Sequence, residues 1–208
     1  MPLIETIYPD NDTVIGLWHM IETEDELLAL LQNTHLYMAE LGRFTSAKRR
    51  LEYLSVRVML QKLLGTSVTV GYEPSGRPFL QNASFQLSIS HTKDYAVVIL
   101  HPNRRVAIDI ERRAPKVMRL QHKFMNDHEL AAVDQNDPLG YMLIAWSAKE
   151  SLFKMIGKEG VDFKEHLLLD CYGADSAGSF IGSYLDNGTR INYTLRFLNT
   201  PLFVLTWI

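Results

Sequence analysis

The order of strands and helices along the chain runs through once and then begins again, and that repetition restricts the folds open to it. A strand is predicted over 13–19. Thr23-Glu24-Asp25-Glu26 has the form of a capping box opening a helix that extends to about Leu41. A second helix from about Ser46 to Leu64 stops at Gly65. Strand-like runs follow at 68–72, 85–90 and 95–101, with turn chemistry over 71–78. The order then restarts with a strand over 106–111, helical patterns over 117–134 and 139–156, and strands over 166–171, 179–185, 190–195 and 202–208. Few residues match between the halves, so only the pattern repeats. The prediction is an α+β protein of two similar subdomains related by a pseudo-two-fold axis, residues 1–103 and 104–208, joined near 102–105. A groove between such halves is a natural ligand site.

The bulk numbers exclude several functions. At 208 residues the chain is long enough to bury a sizeable core. A net charge of −3 argues against nucleic acid as the main partner, so any anion site has to be a local cluster. The single cysteine, Cys171, excludes an intrachain disulfide and suits a reducing compartment. Met1-Pro2-Leu3-Ile4-Glu5 lacks both a basic region and a long apolar run, and no apolar stretch approaches the ~18 residues that span a bilayer. The expected location is the cytoplasm, with no membrane partner.

Two segments carry chemistry. In the strand Val106-Ala107-Ile108-Asp109-Ile110-Glu111, residues two apart share a face, so Asp109 and Glu111 point the same way. Hard divalent cations such as magnesium take carboxylate oxygens of this kind. Alone, such a strand is more often a half-exposed surface whose polar face meets water. The second segment, Trp146-Ser147-Ala148-Lys149-Glu150-Ser151-Leu152-Phe153-Lys154, lies on a helix marked by Tyr141, Ile144, Ala145, Leu152 and Ile156. Glu150 and Lys154 are i and i+4 there, and in isolation read as a surface ion pair contributing ~0.3–0.5 kcal/mol. Trp146 reads as a packing residue. Taken together, three carboxylates and a lysine are the equipment of a magnesium site for chemistry on a phosphate ester.

Phosphate contacts have weaker candidates. Gly76-Arg77-Pro78 fixes a cation in a turn, and Ser88-Ile89-Ser90-His91-Thr92 ends a strand with groups able to donate to phosphate oxygens. Lys48-Arg49-Arg50 and Arg57 sit on the second helix. Taken singly, each of these reads more readily as a turn cation, a strand end or a solvated helix stripe.

In order and spacing, Gly76-Arg77-Pro78, Ser88-Ile89-Ser90-His91-Thr92, Ala107-Ile108-Asp109-Ile110-Glu111 and Trp146-Ser147-Ala148-Lys149-Glu150-Ser151 resemble the 4′-phosphopantetheinyl transferases. The resemblance covers about residues 43–160 and is to the larger, monomeric class with two similar α+β halves. It implies transfer of 4′-phosphopantetheine from coenzyme A to a serine of an apo acyl or peptidyl carrier protein, with Mg2+ or Mn2+ as the metal. It further implies Asp109, Glu111 and Glu150 as metal ligands, with Glu150 also a catalytic group, and Lys154 as a catalytic residue on the coenzyme's phosphates. Ser90, His91, Arg77 and Arg49 become coenzyme contacts, with Arg50 and Arg57 as rivals to Arg49. Glu129, at the end of the segment 123–129, becomes a secondary acid–base or metal-shell candidate. Thr92 replaces the family's usual second serine, and Ala107 stands where glycine is common. Two other readings use the same residues: a magnesium-dependent phosphohydrolase or nucleotidyl transferase, and a non-catalytic binding module with a solvated acidic strand.

Overall fold

A computed structural model describes residues 3–208. It divides into two compact units, Met1–Val106 and Ala107–Ile208. Helices and antiparallel sheets make up both, so the fold is α+β.

The first unit opens with strands β1 (Leu3–Ile7) and β2 (Val14–His19), helices α1 (Glu24–Leu30), α2 (His35–Leu41) and α3 (Ala47–Leu64), and strands β3 (Val70–Tyr72), β4 (Pro78–Leu80), β5 (Gln86–His91) and β6 (Tyr95–His101). Its sheet has the order β1-β2-β6-β5, all antiparallel, with β3 and β4 forming a separate hairpin. Helix α3 packs on β2 and β6, burying Leu54, Val58 and Met59, and Gly65 (φ 70) ends it in the left-handed conformation that glycine adopts without strain. The predicted capping box is present: the Thr23 hydroxyl accepts from Glu26 N at 3.3 Å and Glu26 Oε2 from Thr23 N at 2.8 Å.

The helix expected through Leu41 is broken at Leu31–Thr34. Gln61 of α3 reaches into the gap, its Oε1 accepting from Gln32 N (2.8 Å) and its Nε2 donating to Leu30 O (3.0 Å), while Asn33 turns left-handed (φ 53). The backbone groups that would have continued the helix are thus satisfied from outside it. The segment read as a turn over 71–78 is a hairpin, reversed at Gly76 (φ 81).

The second unit comprises β7 (Ile108–Arg112), a 3₁₀ turn (Pro115–Arg119), α4 (Gln121–Phe124), α5 (Asp127–Ala131), α6 (Pro138–Ile156), β8 (Leu167–Leu169), β9 (Ala177–Asp186), β10 (Thr189–Asn199) and β11 (Phe203–Trp207). Its antiparallel sheet runs β7-β11-β10-β9-β8. The single helix expected over 117–134 is three short pieces. Met125 is extended, and Asn126 restarts the chain as an N-cap, accepting from Glu129 N at 2.9 Å. Strands β9 and β10 are longer than expected and joined by Asn187 (φ 48) and Gly188 (φ 84), a two-residue turn matched to strand twist.

Helix α6 contacts all five strands of this sheet. It crosses β9 closely at Gly182, where a Cβ would lie 3.0 Å from Leu152 and 2.4 Å from Leu195. No helix among the described residues is long and apolar enough to cross a membrane.

Candidate active site

The acidic strand is not the solvated surface that such a sequence usually forms. Asp109 on β7 is 4% exposed, and Ile108 and Ile110 on its other face are also buried. Helix α6 lies over the Asp109 face and places its charged turn there. The Lys154 ammonium donates to Asp109 Oδ1 at 2.8 Å and to the Ile108 carbonyl at 3.0 Å. Lys154 thus ties helix to strand.

Glu111 is held from the same helix by Trp146, whose Nε1 donates to Glu111 Oε1 at 2.7 Å. The indole stacks on Phe163 (5.5 Å between centroids) and meets the edge of Phe124 (5.1 Å). A residue read only as packing therefore also orients a carboxylate; its spacing from Glu150 was the only signal available in the sequence.

Burial and the neighbouring charge of Asp109 push Glu111 and Glu150 up to about 7, and Lys154 partly offsets this. The charge of Glu150 adds to the rise at Glu111. Asp109 is thus within electrostatic reach of both glutamates and Glu150 of Glu111, and these neighbours oppose ionisation of the two glutamates. Among the described residues no group of three or more His, Cys, Asp or Glu side chains is gathered tightly enough to cage an ion by itself. The donor set suits the alternative: magnesium keeps several waters and takes one or two carboxylates plus substrate phosphate. Hard oxygen donors whose mutual repulsion a divalent cation would relieve fit such an open site.

Glu129 is engaged elsewhere. Lys149, with no exposed surface, donates to Glu129 Oε2 (2.7 Å), Phe124 O (2.5 Å) and Phe163 O (2.9 Å), which uses all three of its protons. Glu129 also accepts from Asn126 N and Leu169 N, both at 3.0 Å. Burial holds the Lys149 ammonium below the usual lysine range, with Glu129 acting against that shift. This pair ties α6 to α5, β8 and the 163 loop.

Lys154 apart, the predicted coenzyme contacts lie in the first unit, where Arg49, Arg57 and His91 line one cleft and Arg77 another. Arg49 and His91 meet in one of about 310 Å³, which Arg57, Tyr53 and Tyr72 also line. Arg49 Nη1 lies 3.4 Å from His91 Nε2. Both sit on a buried carboxylate that the sequence reading passed over, Glu52, which is 3.2 Å from Arg49 Nη1 and 3.4 Å from His91 Nδ1. Ser90 precedes His91 on β5 and is buried. Arg50 is committed to Glu24 (2.6 Å from Nε) and to Leu41 O (2.8 Å). Arg57 is buried over the Tyr53 ring, 4.0 Å from its centroid. Arg77 is apart from all of these: it donates to Gln86 Oε1 at 2.6 Å, at the far end of β5 from His91, and lines a second cleft of about 350 Å³ with Phe79 and Phe85.

Comparison with known proteins bears on the second unit most directly. Residues 105–196 match the model of the 4′-phosphopantetheinyl transferase superfamily, a span that includes Asp109, Glu111, Glu129, Glu150 and Lys154. The chain is 26% identical over 141 residues to the mouse (Mus musculus) L-aminoadipate-semialdehyde dehydrogenase-phosphopantetheinyl transferase, covering 56% of this chain and 46% of that protein. The human (Homo sapiens) protein of the same name is 25% identical over the same shares. The 4′-phosphopantetheinyl transferase gsp of Aneurinibacillus migulanus is 31% identical over 86 residues, 40% of this chain and 35% of that protein. The aligned region thus spans less than half the length of these relatives. Residues 105–196 are thus similar to the 4′-phosphopantetheinyl transferase superfamily, and the relatives above carry phosphopantetheinyl transferase in their names.

Proposed function

We propose that this chain transfers the 4′-phosphopantetheine group of coenzyme A to a serine of an apo acyl or peptidyl carrier protein. Its form is that of the larger, monomeric class, acting in the cytoplasm. The observation that carries the reading is the cluster of Asp109, Glu111, Glu150 and Lys154, gathered between β7 and α6 within the span that matches the family model. The carrier serine oxygen bonds to the β-phosphorus, the bond from that phosphorus to the oxygen bridging the two phosphates breaks, and adenosine 3′,5′-bisphosphate departs. Positioning and charge neutralisation supply most of the acceleration in such transfers.

Asp109, Glu111 and Glu150 are the carboxylates from which the metal, magnesium or manganese, would take its protein oxygens, with water and substrate phosphate supplying the rest. When bound, it supplies a positive charge that stabilises the pyrophosphate oxygens. Lys154 holds Asp109 through its Oδ1 and adds its own charge toward the leaving phosphate. Glu150, on the turn of α6 that faces Asp109, is the carboxylate assigned to accept the serine proton, directly or through a water it orients. Arg49, His91 and Ser90 serve the coenzyme's phosphates in this scheme, with Arg77 contributing from its own cleft. The acid–base role suggested for Glu129 is not carried over, because both its oxygens are already engaged.

The test is intact-protein mass spectrometry of a panel of apo carrier proteins incubated with this chain, coenzyme A and magnesium. One phosphopantetheinyl group should be gained, and the gain should vanish on chelation and in Asp109→Ala and Glu150→Ala variants. Transfer that survives either substitution overturns the site, and absence of transfer to every carrier overturns the reaction.

A further inference from the structure

Beneath the charged cluster, and outside the set of ligands, lie three hydroxyls that the proposed reaction does not use. Ser147, Ser151 and Thr206 have no exposed surface. Ser147 and Ser151 are one turn apart on α6, and Thr206 on β11 is the register partner of Asp109 on β7. Partners in an antiparallel pair present their side chains on one face, so Thr206 stands beside Asp109 beneath the helix. Thr206 Oγ1 lies 2.8 Å from Ser151 Oγ and 2.9 Å from Ser147 Oγ, and Ser147 Oγ donates to the Asp109 carbonyl at 3.2 Å.

Three hydroxyls hold three protons. With Ser147 donating to Asp109 O, one arrangement has Thr206 donate to Ser147 and Ser151 to Thr206, so that Ser147 and Thr206 are each both donor and acceptor. Ser151 has a second acceptor in the Thr206 carbonyl, at the longer distance of 3.1 Å. This network of contacts links the helix through β11 to the backbone of Asp109. Together with Lys154, which grips Ile108 O and Asp109 Oδ1, it fixes α6 to β7 along one helix stripe at residues 147, 151 and 154. Glu150 is carried between these points and Trp146 beside them. Slip or rotation of the helix would move Glu150 and the Trp146 contact to Glu111 relative to Asp109.

We propose that Ser147, Thr206 and Ser151 are positioning residues, a buried hydroxyl relay that sets the separation of the β7 and α6 carboxylates for metal binding. This rests on the metal reading above. Partners that orient a ligand from behind typically change metal affinity roughly ten- to hundredfold when removed.

The test is titration of the full chain with Mn2+, followed by the electron paramagnetic resonance of the free ion, for the unaltered chain, Thr206→Val, Thr206→Ser and a Glu150→Gln control. Valine keeps the threonine shape without its hydroxyl, and serine keeps the hydroxyl. Affinity should fall roughly tenfold or more in Thr206→Val and return to within about twofold in Thr206→Ser. In transfer assays kcat should fall with Thr206→Val while KM for coenzyme A holds. If Thr206→Val does not fold, Ser147→Ala, which removes the contact to Asp109 O, is held to the same criterion. A folded variant that binds Mn2+ within about threefold of the unaltered chain refutes the relay and leaves the metal site standing. No Mn2+ binding by the unaltered chain refutes the metal site, and the relay with it.

Discussion

Replacing Lys149 by methionine keeps the length of the side chain and most of its apolar stem while removing the charge. The structure sets the size of the effect. Phe124 O and Phe163 O each lose a hydrogen-bond donor in a buried site, at about 1 kcal/mol or more apiece. Glu129, 4% exposed, keeps two backbone donors but loses its counter-charge. Breaking one side of a buried pair costs about 3–5 kcal/mol in all, a range that includes those orphaned acceptors. The expected loss is therefore ~3–5 kcal/mol, or a fall in Tm of roughly 6–20 °C for a chain of this size. Urea denaturation followed by circular dichroism measures it. The double variant Lys149→Met/Glu129→Gln should recover about 2 kcal/mol of the summed single losses, because no lone charge remains buried. A loss below about 1 kcal/mol in Lys149→Met, or strict additivity in the double variant, would refute the reasoning. The same series separates scaffold from chemistry: Glu129→Gln should lower stability and leave transfer per folded molecule within a few-fold.

Two further outcomes are expected. Glu111 and Glu150 rise from 4.5 to about 7 on folding, so the folded state binds more protons between those values. The stability this confers is present at about pH 4.5 and is lost as pH climbs through about 7. One such group amounts to ~3 kcal/mol, and the pair to less than twice that, since part of the Glu111 shift is the charge of Glu150. In chelator, the urea midpoint should fall between about pH 5 and about pH 8, less so with magnesium present, and the slope should be missing in Glu111→Gln/Glu150→Gln; a flat profile in the unaltered chain contradicts the electrostatics. Gly182→Ala would drive a methyl into Leu195 and Leu152 where α6 crosses β9, and should cost about 1–3 kcal/mol by overpacking; a neutral change by thermal denaturation would show that the crossing has slack.

How far the sequence could be read follows from the range of each interaction. Asp109 with Glu111, and Glu150 with Lys154, were legible because strand alternation and helix periodicity are local rules. The capping box at Thr23 and the helix stop at Gly65 were legible for the same reason. What escaped depends on partners distant in sequence. The break after Leu30 requires Gln61 on another helix, and the restart at Asn126 outweighed an apolar pattern that continued through it. Thr206 had no signal, since only sheet register sets it opposite Asp109. Arg77 and His91 looked like members of one phosphate site in linear order, yet the length of β5 separates them. Glu52 drew no notice beside a basic stretch, although it is the buried anchor of Arg49 and His91.

Helix α6 has a consequence for how the chain tolerates change. Trp146 reaches Glu111, Ser147 the Asp109 carbonyl, Lys149 the α5 and 163 segments, Ser151 Thr206, and Lys154 β7. At 100° per residue Lys149 points well away from the stripe of 147, 151 and 154, so consecutive residues answer to different neighbours. No rotation of the helix and no compensating change at one neighbour could absorb a substitution here. In a saturation mutagenesis screen this stretch should stand out as an almost unbroken block of intolerant positions, whereas ordinary amphipathic helices show tolerance recurring every turn. Residues fixed by so many independent constraints leave a dense, short signature in the sequence, which is why so few letters sufficed to suggest the chemistry.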